Sequence, residues 1–123
     1  MVQPQSIVKI ADNTGAKIGR VFKVLGGSKK RYARIGDLVV LSVQVAEPRN
    51  MVKKKEILHA VVVRSKQPTR RADGSYIKFD ENAVVIVDKE KREPRANRVF
   101  GPIPREVSEA GYQKIASMAP EVL

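Results

Sequence analysis

Lysine and arginine gather in four places along this chain. Residues 29–34 read Lys29-Lys30-Arg31-Tyr32-Ala33-Arg34, and residues 49–55 carry Arg49, Lys53, Lys54 and Lys55. Residues 64–71 carry Arg64, Lys66, Arg70 and Arg71, with no acid before Asp73, and residues 89–98 read KEKREPRANR. Cations grouped in this way hold phosphates, neutralising a polyanion's backbone without reading its sequence. Tyr32 adds an aromatic face on which a base or sugar can stack, or serves as a packing post beside its own strand. A solvated hairpin tip is the plain alternative for 64–71. In 89–98, Glu90 and Glu93 interleave with the cations, so a solvated loop is the default there, and the surplus positive charge leaves an RNA or protein contact open.

No other constellation in the chain does chemistry. His59 is the only histidine and lies in an apolar run beside Leu58 and Ala60, without a partner. There is no cysteine, hence no thiol nucleophile, disulfide framework or zinc ribbon. Gly26-Gly27-Ser28 lacks the spacing of a phosphate-cradling loop and reads as a hairpin connection. Asp80-Glu81 are neighbours in a turn and point apart. The expectation is a non-enzyme with no metal, cofactor or small-molecule substrate.

Charge and size agree with that reading. The 123 residues hold 24 Lys and Arg against 13 Asp and Glu, a net charge of +11 with a pI near 10.2. Such an imbalance points to nucleic acid or an anionic surface. No run approaches the ~20 apolar residues of a membrane span, and the start resembles neither a signal peptide nor an Arg-rich transit segment. A mature cytosolic or organelle-matrix chain is expected.

Strands must position these clusters. Ser6 to Ala11 alternates, with Val8 and Ile10 opposite Ile7 and Lys9. Asp12-Asn13-Thr14-Gly15 turns the chain into a strand over 17–25, with Ile18, Phe22 and Val24 on one side and Val21 and Leu25 on the other. Leu38 to Ala46 is the most apolar strand, with Val39, Leu41, Val43 and Val45 on one face. Ile57 to Val63 is another, ending before the basic 64–71 loop, in which Pro68 disfavours regular pairing. Asp73-Gly74 supplies a tight turn into a short strand at 75–79, and 84–87 is a further strand. Val99 to Ile103 is apolar and should pack on the barrel, Phe100 included. Pro104 suits the first position of a short helix over 105–110, Gly111 stops it, and 112–118 forms another turn or two. Five or six closely spaced strands with helices only at the end predict a mainly β fold. We expect a small closed β-barrel of five or so strands, with a β-hairpin and short C-terminal helices. Several strands are apolar on both faces, so part of the outer surface should be covered. A single domain over 1–123 is expected: barrel about 6–88, loop 89–98 and helical tail 99–123.

The stretch from Ala60 to Ile86 also carries a resemblance. Its small residue, three aliphatics, gap, Asp73-Gly74, Phe79, Asn82 and Val85-Ile86 resemble the signature of the uL-fourteen family of large-subunit ribosomal proteins, of bacterial or organellar type. The likeness extends to MVQPQS, ADNTGA, GGSKKRYARIGD, RVFGPIPRE and MAPEVL, essentially the whole chain. It implies a structural constituent of the large subunit that binds large-subunit rRNA and touches neighbouring large-subunit proteins. It also implies a bridge to small-subunit rRNA, and docking of a ribosome-silencing factor near the end of the 89–98 loop and the helical tail, where Arg98 and Lys114 lie. The implied location is the ribosome, in a bacterial cytoplasm rather than a chloroplast stroma. From the residues alone, a free RNA-binding β-barrel outside the ribosome stays open. It should carry several aromatics on one sheet face, whereas this chain has three Tyr and three Phe, scattered. A basic peripheral membrane protein should carry an amphipathic basic helix, and none is read.

Overall fold

Alternating apolar residues and β-branched runs become strands, and the period of two decides which side chains enter the core. In the computed structural model, residues 2–25, 32–47, 55–88 and 93–123 are described. The barrel strands are β1 (Ile7–Ile10), β2 (Ala16–Val24), β3 (Leu38–Ala46) and β4 (Ile57–Arg64). A hairpin of β5 (Thr69–Arg70) and β6 (Tyr76–Ile77) follows, then the last barrel strand, β7 (Ala83–Val87). Neighbours pair in the order β1-β2-β3-β4-β7, and β7 closes the ring by pairing parallel to β1 through Lys9↔Ala83 and Ile10↔Val84.

Closure leaves no barrel edge unpaired. It encloses a core in which Val8, Val21, Leu41, Val43, Val62 and Ile86 are almost fully sealed from solvent. β4 and β7 read as unbroken apolar runs because both of their faces are covered. Their outward residues Val61, Val63, Val85 and Val87 lie beneath Val99, Ile103, Val107, Tyr112 and Ile115 of the tail. Helices α1 (Glu106–Glu109) and α2 (Gln113–Met118) are too short to persist alone and are held by Val107 and Ile115 in this second core. Residues 121–123 return beside 103–105, where Ile103 pairs with Val122.

Two expectations are corrected. β2 does not alternate strictly: Val21 and Val24 are both buried, while Ile18 and Phe22 face solvent. Register shifts against β3, between Ala16 and Gly19 and between Val21 and Lys23, rotate the strand, as bulges do. Phe100 packs only in part: Val99 and Ile103 are buried, while Phe100 remains 49% exposed beside Ile10 and Ala16.

The barrel and its cover are fastened at Asp12, which the sequence presents only as a turn former. Its Oδ1 accepts hydrogen bonds from Thr14 N (3.2 Å) and Thr14 Oγ1 (2.6 Å), and its Oδ2 accepts one from Ile86 N at 2.9 Å. Burial pulls this carboxyl above its ordinary value of 3.8, against hydrogen bonds that favour the anion. The folded protein thus holds the proton more tightly than the unfolded chain. Stability should fall as pH rises from the ordinary carboxylate range through the raised value. Asp12→Asn removes that titration. The parent's stability advantage over Asp12→Asn is expected to be larger at about pH 4 than at about pH 7 in denaturant melts. An advantage that stays constant, or grows with pH, would contradict the buried-carboxyl account.

Candidate nucleic-acid interface

Because each barrel strand runs antiparallel to the one before it along the chain, and only the closing β1–β7 pair is parallel, the connections alternate between the two ends of the ring. The 25–37 connection and the 65–82 excursion, which contains the β5–β6 hairpin, leave from one end. The β1–β2 turn, the 47–56 connection and the segment after Asp88 leave from the other. The described members of the basic clusters are therefore divided between the two ends. Among the described residues, the strand ends place Arg34 with 64–71 at one pole, and Lys55 with 93–98 at the other.

Within the clusters, side chains differ sharply in availability. Lys29, Lys30, Arg31, Arg49, Lys53 and Lys54 lie outside the described residues, as do residues 89–92. Tyr32 is 47% exposed next to Ala33, which exchanges backbone hydrogen bonds with Val2 (3.0 and 2.6 Å). Arg34 is exposed on a turn fixed by its own N–H donating to Asp37 Oδ2 at 2.8 Å. Lys55 is exposed, at a left-handed φ of 69°. Lys66 is exposed, with its backbone N–H donating to Asn82 Oδ1 at 2.9 Å, and Arg70 is exposed on β5 opposite Tyr76. The hairpin turns at Gly74, whose φ is 90°, and Asp73 accepts hydrogen bonds from the Ser75 hydroxyl and amide, which hold its carboxyl below the ordinary range.

Arg64 and Arg71 are placed differently from their sequence neighbours. Arg64 belongs to β4 rather than to the loop, and its side chain is 6% exposed. Its Nη1 donates to Phe100 O at 2.9 Å and to Pro102 O at 3.4 Å, and its Nη2 lies 3.4 Å from Glu81 Oε1. Burial pulls the guanidinium below the usual arginine range, and Glu81 pushes it back. Arg71 Nε lies 2.8 Å from Glu106 Oε1, while its Nη2 donates to Leu123 O at 2.6 Å. Both arginines act as internal clasps. Arg64 ties the barrel to the 99–103 segment, and Arg71 ties the hairpin to the tail.

The proposed protein-contact residues sit on the covered side. Asn13 Oδ1 accepts the backbone N–H groups of Asn97 and Arg98, leaving the Arg98 side chain exposed. Lys114 projects from α2, paired with Glu93 at 3.5 Å.

The sequence reading passed over one further basic surface. Lys9 of β1 stands opposite Ile18 of β2, beside Lys17. These two lysines line both an open cleft of about 350 Å³, bounded also by Asn13 and Phe100, and an adjoining cleft of about 460 Å³, bounded by Ile7, Ile18, Lys66 and Asn82. Strand alternation could have flagged Lys9 and Lys17 as outward cations. Nothing local could have joined them to residue 100.

A sequence-family model described as Ribosomal protein L14p/L23e matches residues 1–123, the full length of the chain. The chain belongs to this ribosomal protein family. Membership in L14p/L23e makes it a structural constituent of the large ribosomal subunit, in a family of structural rather than catalytic proteins. It therefore decides against the free RNA-binding barrel and the peripheral membrane protein.

Proposed function

We propose that this L14p/L23e protein binds large-subunit rRNA through exposed cations at the barrel poles and contributes to an intersubunit bridge with small-subunit rRNA. The observation that carries the reading is the division of the described exposed cations between opposite ends of one closed ring, Arg34, Lys66 and Arg70 at one and Lys55 at the other. One pole can be seated in the RNA of its own subunit while the other reaches a second RNA surface. Arg34, Lys55, Lys66 and Arg70 are the described side chains that make these contacts, together with Lys29, Lys30, Arg31, Arg49, Lys53 and Lys54, and Tyr32 offers a stacking face. Arg64 and Arg71 contribute by holding the poles in shape. Arg98 and Lys114, on the tail side, are the contact for a ribosome-silencing factor and for neighbouring large-subunit proteins. The whole-chain resemblance supports a ribosome of bacterial or organellar type.

The test is assembly. Replacing Arg34, Lys66 and Arg70 with Gln should change stability by less than about 0.5 kcal/mol each, because surface positions tolerate such changes. The same variant should show a reduced share of the large-subunit peak in a sucrose gradient. Arg98→Ala with Lys114→Ala should assemble normally and lose affinity for the silencing factor. A triple variant that both melts and assembles like the parent would remove the 34–70 pole from the RNA interface.

A further inference from the structure

We infer that the two clefts flanking Lys9 and Lys17 form one site for two consecutive unpaired nucleotides of RNA, one base stacking on Phe100 and the linking phosphate lying between the two ammonium groups. The inference rests on the RNA-binding reading above and adds to it a ligand form, unpaired rather than duplex RNA, and a location on the β1–β2 face that meets the basic clusters only at Lys66.

The position of Phe100 is the first support. Its neighbours Val99 and Ile103 are buried, yet its own ring is 49% exposed. That exposure is not slack in the chain. The Phe100 N–H donates to Ala11 O at 2.7 Å, and its carbonyl accepts Arg64 Nη1 at 2.9 Å. The backbone is thus clamped on both sides and presents the ring at a fixed place. An exposed aromatic on a cationic surface is how proteins hold unpaired bases, since every base has a face to stack.

The shared wall is the second support. The cleft beside Phe100 measures about 350 Å³ and its neighbour about 460 Å³, both at the small end of the ligand-cleft range, and both are bounded by Lys9 and Lys17. Two adjoining hollows with cations on their partition match the repeat of a nucleic acid strand, in which each pair of bases is joined by one phosphate. The second hollow has an apolar side from Ile7 and Ile18 and a third cation, Lys66, at its far end. Lysines 9, 17 and 66 are matched in number by Asp12, Glu47 and Glu81 around the two clefts, but Asp12 is buried with its oxygens held by Thr14 and Ile86, so the exposed lysines outnumber the exposed carboxylates. Lys9 and Lys17 pair with Glu81 and Glu47 at 3.6 and 3.3 Å, and both pairs are exposed. Exposed ion pairs are weak, so a phosphate can take over either lysine.

The experiment uses the full chain, a fluorescent single-stranded oligoadenylate hexamer and a blunt RNA duplex of the same length. Phe100→Leu should weaken hexamer binding by roughly 5- to 150-fold, the range for losing one stacked base, and leave duplex binding unchanged. Phe100→Tyr, which keeps the ring, should bind like the parent. Lys9→Gln with Lys17→Gln changes only exposed side chains and should weaken the hexamer more than the duplex, giving a second measure independent of residue 100. If Phe100→Leu and the lysine variant hold the hexamer as the parent does, the inference is overturned and a protein neighbour becomes the occupant. A parent that binds large-subunit rRNA while its Phe100 variant is indifferent to the hexamer sinks this site alone. A parent that binds neither RNA sinks the RNA-binding reading with it.

Discussion

Gly101→Ala is expected to lower the unfolding free energy by about 3–4 kcal/mol, near the upper end for a single substitution. Gly101 has a φ of 81°, a left-handed conformation that costs a residue with a Cβ about 1–2 kcal/mol. The added methyl would also overlap Arg64 Nη1 and approach its Cζ to 3.3 Å. The guanidinium is a flexible end, but it has nowhere cheap to go. Moving it forfeits its bonds to Phe100 O and Pro102 O, and hydrogen bonds to charged groups contribute about 1.5–3 kcal/mol each. The coupling can be isolated by a double-mutant cycle. Arg64→Leu should itself destabilise by about 2–4 kcal/mol, since two carbonyls lose their donor. In that background Gly101→Ala should cost only the backbone term, about 1–2 kcal/mol. Equal costs in both backgrounds, read from denaturant melts, would mean that the Arg64 clasp does not constrain the glycine.

The largest effect should appear in RNA binding. The affinity of the free protein for a large-subunit rRNA fragment is expected to fall by on the order of 10³- to 10⁵-fold between ~50 and ~200 mM salt, as for proteins that neutralise about 6–10 phosphates. Variants should then sort by where their charges lie. The Arg34, Lys66 and Arg70 to Gln variant removes three exposed cations and should flatten the log–log salt slope by about 2–3 units. Arg71→Gln removes a charge already spent on Glu106, so the slope should hold even where stability drops. Binding that is insensitive to salt, or a slope that responds equally to Arg71 and Arg70, would refute the assignment of exposed cations to RNA and paired ones to the fold.

That sorting marks where the sequence was readable. Leu38–Ala46 is legible because eight of its nine residues are apolar or small, and Ser42 and Gln44 mark the face opposite Val43, and the tail helices are legible from Pro104 and Gly111. The covered outer face was legible too, because Val61, Val63, Val85 and Val87 leave β4 and β7 no polar side. Arg64 was not, since its partners are the carbonyls of residues 100 and 102, and to a local reading it is simply the first cation of a basic run. Asp12 failed for the same reason: its deciding hydrogen bond goes to Ile86. The half-exposure of Phe100 was not legible because an apolar segment gives no sign of which member the backbone clamp turns outward. β2 was misread because bulges depend on the register of the partner strand. What the chain hides is long-range pairing of polar groups, and the cleft beside Lys9 is assembled from just such pairings.

The ring closes between β1 and β7, and this has a consequence for the newborn chain. Lys9 and Ile10 find their parallel partners at Ala83 and Val84, and the cover is pinned back to Asp12 by Val99. At a synthesis rate of about 5–20 residues per second, the first strand must wait about 4–15 s for its neighbour to be made. During that interval the half-built sheet has an open edge and a valine-rich inner face with nothing to bury it. Contacts so distant along the chain also make folding slow in its own right. A protein destined for a ribosome therefore passes through a sticky, unclosed stage while still being made on one. Its many positive charges, which repel other copies of the same chain, are an asset then, before any RNA has been met.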